Sequence, residues 1–105
     1  MRVMNTLALE TYIQQTPEVK ERLLAWLHDV ESREWSLYTD VLNHFPRAIA
    51  LKGGHEINFE IHLHSCYVLA LLHYPTQVLS ILSIGSFRTV LLPRLYNHFQ
   101  GGQDL

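Results

Sequence analysis

Hydrophobic positions change their period once along the chain, from helical spacing in the first half to strand-like alternation after residue 55. Val3, set between Arg2 and Met4, reads as the middle of a brief first strand. Thr6 then stands as the cap of a helix over residues 7–15, with Leu9 and Ile13 four apart on one face. Thr16-Pro17-Glu18 is a second start signal: a hydroxyl cap, a proline at the first helical position and an acid in the first turn. Behind it Val19, Leu23, Trp26, Leu27 and Val30 recur at helical spacing. This stripe lies opposite Lys20, Glu21, Arg22, Asp29, Glu31 and Arg33. Ser36 is placed to cap a short third helix that turns Leu37, Val41, Leu42 and Phe45 inward and stops at Pro46.

Lys52-Gly53-Gly54-His55 is a turn, and the alternation begins after it. Ile57, Phe59 and Ile61 interleave with Glu56, Asn58 and Glu60, which predicts a half-buried strand with one wet face. A hairpin-length connection over 62–65 leads to residues 66–72, apolar on both faces as a central strand is. Residues 73–77 turn the chain, and 78–84 form another strand that Gly85-Ser86 closes. Residues 87–93 read either as a last strand or as a short helix ending before Pro93. Residues 95–99 are amphipathic, and Gly101-Gly102 reads as a fraying end. Leu91, Leu92, Leu95, Tyr96 and Phe99 are too apolar for a frayed tail, and core packing is preferred for them over a partner-binding patch. Helices first and hairpin-linked strands afterwards define an α+β plan over a single domain, residues 1–105. Two or three N-terminal helices pack on an antiparallel sheet of about four strands.

Composition changes this picture in two respects. Hydrophobic residues make up 48% of the chain and charged residues 17%, which excludes a disordered polypeptide and hints at surface meant to be covered. Formal net charge is -2, with 8 Lys+Arg against 10 Asp+Glu, so composition by itself does not point to nucleic acid. The one cysteine, Cys66, reads as a buried reduced thiol. The opening residues turn polar too soon for a signal peptide, and no apolar run reaches the length of a membrane span. The expected location is cytoplasmic, with no membrane partner.

Several phrases, taken in order, resemble the HigB toxins of bacterial type II toxin–antitoxin pairs, relatives of the RelE ribonucleases. They are Met1-Arg2-Val3, Ala8-Leu9, Pro17 heading a helix with Leu24-Ala25-Trp26, Trp35, Asp40 and Phe45-Pro46-Arg47-Ala48. They continue with Asn58-Phe59-Glu60-Ile61, Tyr67, Tyr74 and Ile84-Gly85-Ser86. The similarity covers about residues 1–86 and leaves 87–105 as a divergent tail. It implies a RelE-like fold, helices on a curved antiparallel sheet whose concave face meets mRNA in the ribosomal decoding site. It also implies a ribosome-dependent mRNA interferase that inhibits translation and is silenced by a HigA-like helix-turn-helix antitoxin. Homo-oligomers are compatible with it.

Cleavage by a 2′-hydroxyl needs a base, an acid and cations for the phosphate charge. Where the family carries Arg, Arg and His, this chain has Val68, Leu82 and Phe87, none of which can move a proton or neutralise phosphate. The alternative is therefore a catalytically silent relative that binds an antitoxin or assembles with itself. If an active surface survives, His55, His73 and Arg88 are its catalytic candidates, with Lys52, Tyr67 and Tyr74 for RNA; otherwise they are ordinary turn and strand-end residues. His62 and His64, with His55 or His73, offer imidazoles for a metal, but no Cys or acid stands at ligand spacing. Solvated turn residues, with no metal and no cofactor, are the expectation.

Overall fold

The structure is a computed structural model and describes residues 1–62 and 65–95. It is α+β. In chain order it runs β1 (Arg2–Met4), α1 (Thr6–Gln15), a 3-10 turn (Pro17–Val19), α2 (Lys20–Glu31), α3 (Tyr38–His44), β2 (Ile49–Leu51), β3 (Glu56–His62), β4 (Cys66–His73) and β5 (Val78–Gly85). A π-helical turn (Phe87–Leu91) follows and continues helically through residue 95. The sheet has five strands in the order β1-β5-β4-β3-β2. It is mixed, not purely antiparallel, because β1 pairs in parallel with β5 while the other neighbours are antiparallel. The strand beyond the expected four is β2, whose residues Ile49-Ala50-Leu51 are all apolar and so show no alternation in the sequence.

The start signals work with different atoms from those the sequence suggested. Asn5, not Thr6, occupies the cap of α1, in a left-handed conformation, and its Nδ2 donates to the Ile81 carbonyl at 2.9 Å. Helix and sheet are thereby tied together at the crossover. Thr16-Pro17 opens the second helical stretch as expected, through a 3-10 turn. At α3 the cap is the Asp40 carboxylate, which accepts from the backbone N–H of Ser36 at 2.9 Å and of Leu37 at 3.1 Å. Leu37 sits in extended backbone ahead of the helix and faces solvent, while Val41 is buried and Leu42 and Phe45 are half-buried.

Leu23, Trp26 and Val30 of α2 meet Ile57 and Phe59 of β3 and Val68, Ala70 and Leu72 of β4 in the main core. Trp26 stands edge-on to Phe59 with ring centroids 5.3 Å apart, and Phe45 of the α3 end stands edge-on to the same ring at 5.2 Å. Gln77, itself in a left-handed conformation, clasps the chain after α2 to the β4–β5 turn. Its side chain accepts from Trp35 N at 3.1 Å and donates to Tyr74 O at 2.8 Å. Cys66 is buried on this side of the sheet, where burial pushes its thiol pKa up and makes it inert.

The second face of the sheet is largely covered, though Leu71 stays exposed. Residues 87–95 lie across it, with Val90 and Leu91 packed on Leu51, Tyr67 and Leu69, and with Phe87, Ile49 and Leu95 at the margin. The ambiguous stretch 87–93 is thus helical and covers the sheet. Leu91 is buried and Leu95 partly buried, as core packing required, whereas Leu92 is exposed; Tyr96, Phe99 and the glycine pair lie outside the described residues. The cover corrects the reading of β3: Glu56 is 4% exposed and Asn58 0% exposed. Apolar residues on both faces of β4 need two covering layers, and the helices supply only one.

Val68 and Leu82 sharply separate in this frame. Val68 is 0% exposed on the helix side, while Leu82 occupies the irregular step in the β4–β5 register and is 42% exposed. Val68→Arg should therefore abolish the folded state, at a cost above about 4 kcal/mol for an unpaired buried cation. Leu82→Arg should shift stability by no more than about 0.5 kcal/mol. Chemical denaturation of the two variants followed by circular dichroism checks the pair, and a stably folded Val68→Arg protein would overturn the assignment of faces.

Candidate functional site

The alternation Glu-Ile-Asn-Phe-Glu along β3 puts Glu56, Asn58 and Glu60 on the second face, opposite Ile57 and Phe59. Glu56 is met by two cations and Glu60 by one. Lys52 Nζ lies 2.8 Å from Glu56 Oε2, Arg94 Nη1 lies 3.7 Å from Glu56 Oε1, and Arg47 Nη2 lies 3.0 Å from Glu60 Oε1. Tyr67, opposite Glu60 in the β3–β4 register, donates its hydroxyl to Glu60 Oε2 at 3.4 Å. Burial and the neighbouring carboxylate both push the Tyr67 phenol pKa up.

The six residues singled out from the sequence fall into two groups. Lys52, His55, His73 and Tyr74 gather at the end of the sheet where β3 begins and β4 finishes; the His55 carbonyl accepts from Leu72 N at 2.8 Å. Tyr67 and Arg88 stand at the other end, where Tyr67 is paired with Gly85 and Phe87 packs edge-on to its ring at 6.0 Å. Along β4 the two ends are about 20 Å apart, at roughly 3.3 Å per residue. His55, His73 and Arg88 are therefore not brought together around one bond. His73 is exposed, with Nδ1 2.7 Å from Thr76 Oγ1, and Arg88 is exposed on the covering segment.

Tyr74 has a structural task of its own. Its hydroxyl donates to the Gly54 carbonyl at 2.6 Å, closing the glycine turn against the end of β4. Gly54 is buried with φ +90°, and a Cβ there would strike the Tyr38 ring, so only glycine fits. Burial, with a smaller contribution from Asp40, pushes the Tyr74 pKa up to about 12. The residues that sequence reasoning left out are Glu56, Asn58, Arg94 and Arg47. Period-two alternation had already placed the first two with Glu60. What it could not supply was the layer that covers them.

Elsewhere an open groove of about 290 Å³ runs between α2 and the far end of β3, lined by Arg22, Trp26, Asp29, Phe45 and Glu60 among others. His44 Nε2 lies 3.0 Å from Asp29 Oδ2 beside it. Burial raises the Asp29 pKa, but hydrogen bonds from His44 and Arg33 outweigh that and hold it below the usual carboxylate value. His64 lies outside the described residues, and among those described no group of three His, Cys, Asp or Glu side chains is placed to hold a metal ion. Also among the described residues, no helix is long and apolar enough to cross a membrane.

A scan of the sequence against protein-family models and a search of curated proteins each returned no match.

The burial of the Tyr74 phenol has a pH signature. In the folded chain the phenol stays protonated to about pH 12, whereas once unfolded it ionises near its ordinary value of 10.0. Between those values the folded state binds more protons, so stability present below pH 10.0 falls as pH rises towards 12. Urea midpoints should therefore drop more steeply over this window in the natural chain than in Tyr74→Phe. Parallel curves for the two proteins would remove the assigned role.

Proposed function

We propose that this chain is a HigB-like protein with a RelE-like fold that works by binding a partner protein, not by cutting RNA. The observation that carries this reading is the burial of the second sheet face beneath residues 87–95, with Glu56 buried there and Glu60 on the same face. That is the face which the resemblance would offer to mRNA, and carboxylates there repel a phosphate backbone. Lys52 and Arg47, which would neutralise phosphate, are instead paired with the chain's own acids. Position 68, where the family's arginine is expected, points into the helix-side core. The order of elements, with α1 packed on β5 and α2 on β3, supports the family reading itself. By that resemblance the partner is a helix-turn-helix antitoxin of the HigA type.

The endoribonuclease reading draws its support from the gathering of Lys52, His55, His73 and Tyr74 at one end of the sheet. Two imidazoles and an ammonium are the right chemical types for proton transfer next to a phosphate. One experiment separates the two: inducible expression in bacteria with and without a HigA-type antitoxin, with growth, mRNA ends and co-purification followed. The binding reading expects unimpaired growth, intact mRNA and stoichiometric co-purification. Growth arrest with cut mRNA, relieved in a His55→Ala/His73→Ala variant, would establish the nuclease instead.

A further inference from the structure

The groove between α2 and the far end of β3 has a helix stripe for one wall. Arg22, Ala25, Trp26 and Asp29 recur at i, i+3, i+4 and i+7 along α2 and so share a face. Ile61 at the end of β3 and Phe45 after α3 line it with them. Helical side chains lean towards the helix N-terminus, which lays the Trp26 indole over the turn that carries Arg22. Trp26 is 5% exposed and forms part of the wall, yet its Nε1 is buried without a hydrogen-bond partner. A buried indole N–H ordinarily finds an acceptor, because leaving the bond unmade costs stability. The charges around this donor are matched except at one place. Asp29 has both oxygens engaged, Oδ1 by Arg33 at 3.2 Å and Oδ2 by His44 at 3.0 Å. Glu60 is paired with Arg47 at 3.0 Å. Arg22, by contrast, is exposed and enters no ion pair among the described residues.

We propose that this groove binds a small aromatic monocarboxylate, with Arg22 and the Trp26 Nε1–H as donors to its carboxylate and Ala25, Phe45 and Ile61 as the seat of its ring. This goes beyond the binding of a partner protein and does not depend on it. Each property of the ligand answers one of the site. A carboxylate oxygen accepts from the indole N–H while the guanidinium, free to swing from its exposed position, neutralises the charge. A single negative charge matches the single cation left over. A doubly charged phosphate would bring a further charge towards Asp29 and Glu60. A planar ring suits walls made by Trp26 and Phe45. Both stand edge-on to Phe59, at 5.3 and 5.2 Å, which holds the shape of the groove before a ligand arrives. The volume of about 290 Å³ is at the small end for ligand pockets and limits the occupant to a ring or two.

The test uses the full chain with 15N-labelled tryptophan, in which Trp26 and Trp35 give two indole N–H resonances. Trp26→Phe, which loses one of them, assigns both; should it fail to fold, Trp35→Phe assigns them equally. Titration with benzoate should move the Trp26 resonance downfield and saturably, with a Kd of about 1–10 mM for so small a ligand. The Trp35 resonance, outside the groove, should stay nearly still. Benzamide, the neutral isostere, should bind about tenfold more weakly. Arg22→Gln should keep the native Tm, since Arg22 is exposed and unpaired among the described residues, and should weaken benzoate binding about tenfold. Phenyl phosphate should bind more weakly than benzoate. A Trp26 resonance that does not move would overturn the inference. So would benzamide binding as tightly as benzoate, or an Arg22→Gln variant that binds benzoate as the natural chain does. Phenyl phosphate matching benzoate would overturn the assignment of a singly charged ligand.

Discussion

β4 is apolar on both of its faces, and the rest of the structure follows from having to cover it twice. Cys66, Val68, Ala70 and Leu72 face the helices, while Tyr67 and Leu69 face residues 87–95. Burying a large aliphatic or aromatic side chain is worth about 1.5–3 kcal/mol, so an uncovered face on the central strand would forfeit several such contributions. The helix layer answers one side through the Trp26 stripe, whose edge-on contact with Phe59 sets the helix over the β3–β4 hairpin. The C-terminal segment answers the other. What results is a three-layer domain in which the third layer is short and joined to the sheet through Gly85 and Ser86. It fits closely at that joint: a Cβ added at Gly85 would press on Thr89 and come within 3.2 Å of Val90 Cγ2.

The two cores differ in kind. On the helix side, side chains interlock with few polar atoms to satisfy; Trp26 Nε1 is an exception. On the second side, a buried carboxylate, Glu56, and a buried carboxamide, Asn58, have polar atoms left without hydrogen-bond partners. Such an imbalance lowers the free energy of local opening without touching the main core, and local opening of this sort is where binding surfaces are commonly found. The apolar substitutions at the positions where the toxins carry Arg, Arg and His do not form one disarmed surface. Val68 belongs to the helix-side core, Leu82 to an exposed irregularity, and Phe87 to the cover.

Much of the fold was readable from spacing alone. The stripe Val19, Leu23, Trp26 and Val30 and the alternation over 57–61 report local periods that fit one backbone geometry each, while the proline-headed start and the short apolar run 66–72 between turns are signals of residue type and length. Caps were less legible, because Asn5, Thr6, Ser36 and Asp40 all have the right chemistry and only the path of the chain decides which side chain reaches the free N–H groups. The parallel pairing of β1 with β5 was invisible, since its partners are separated by the whole helical layer. Of the six singled-out residues, four come together at one sheet end because the turns at 52–55 and 73–77 are adjacent across β3 and β4. The strand over 66–72 already set Tyr67 at the far end from His73 and Tyr74, whereas Arg88 was placed only by the course of residues 87–95.

The sequence by itself determined the class of the domain, the stripe by which α2 meets the sheet and the membership of Glu56, Asn58 and Glu60 in a single row, because those properties depend on residue period and nothing further away. Whether that row met water or protein was decided only by tertiary structure. Residues 87–95 carry no period that distinguishes strand from helix. Their place across the sheet is chosen by the apolar face that β4 leaves open, a contact between segments about 20 positions apart that no local pattern encodes.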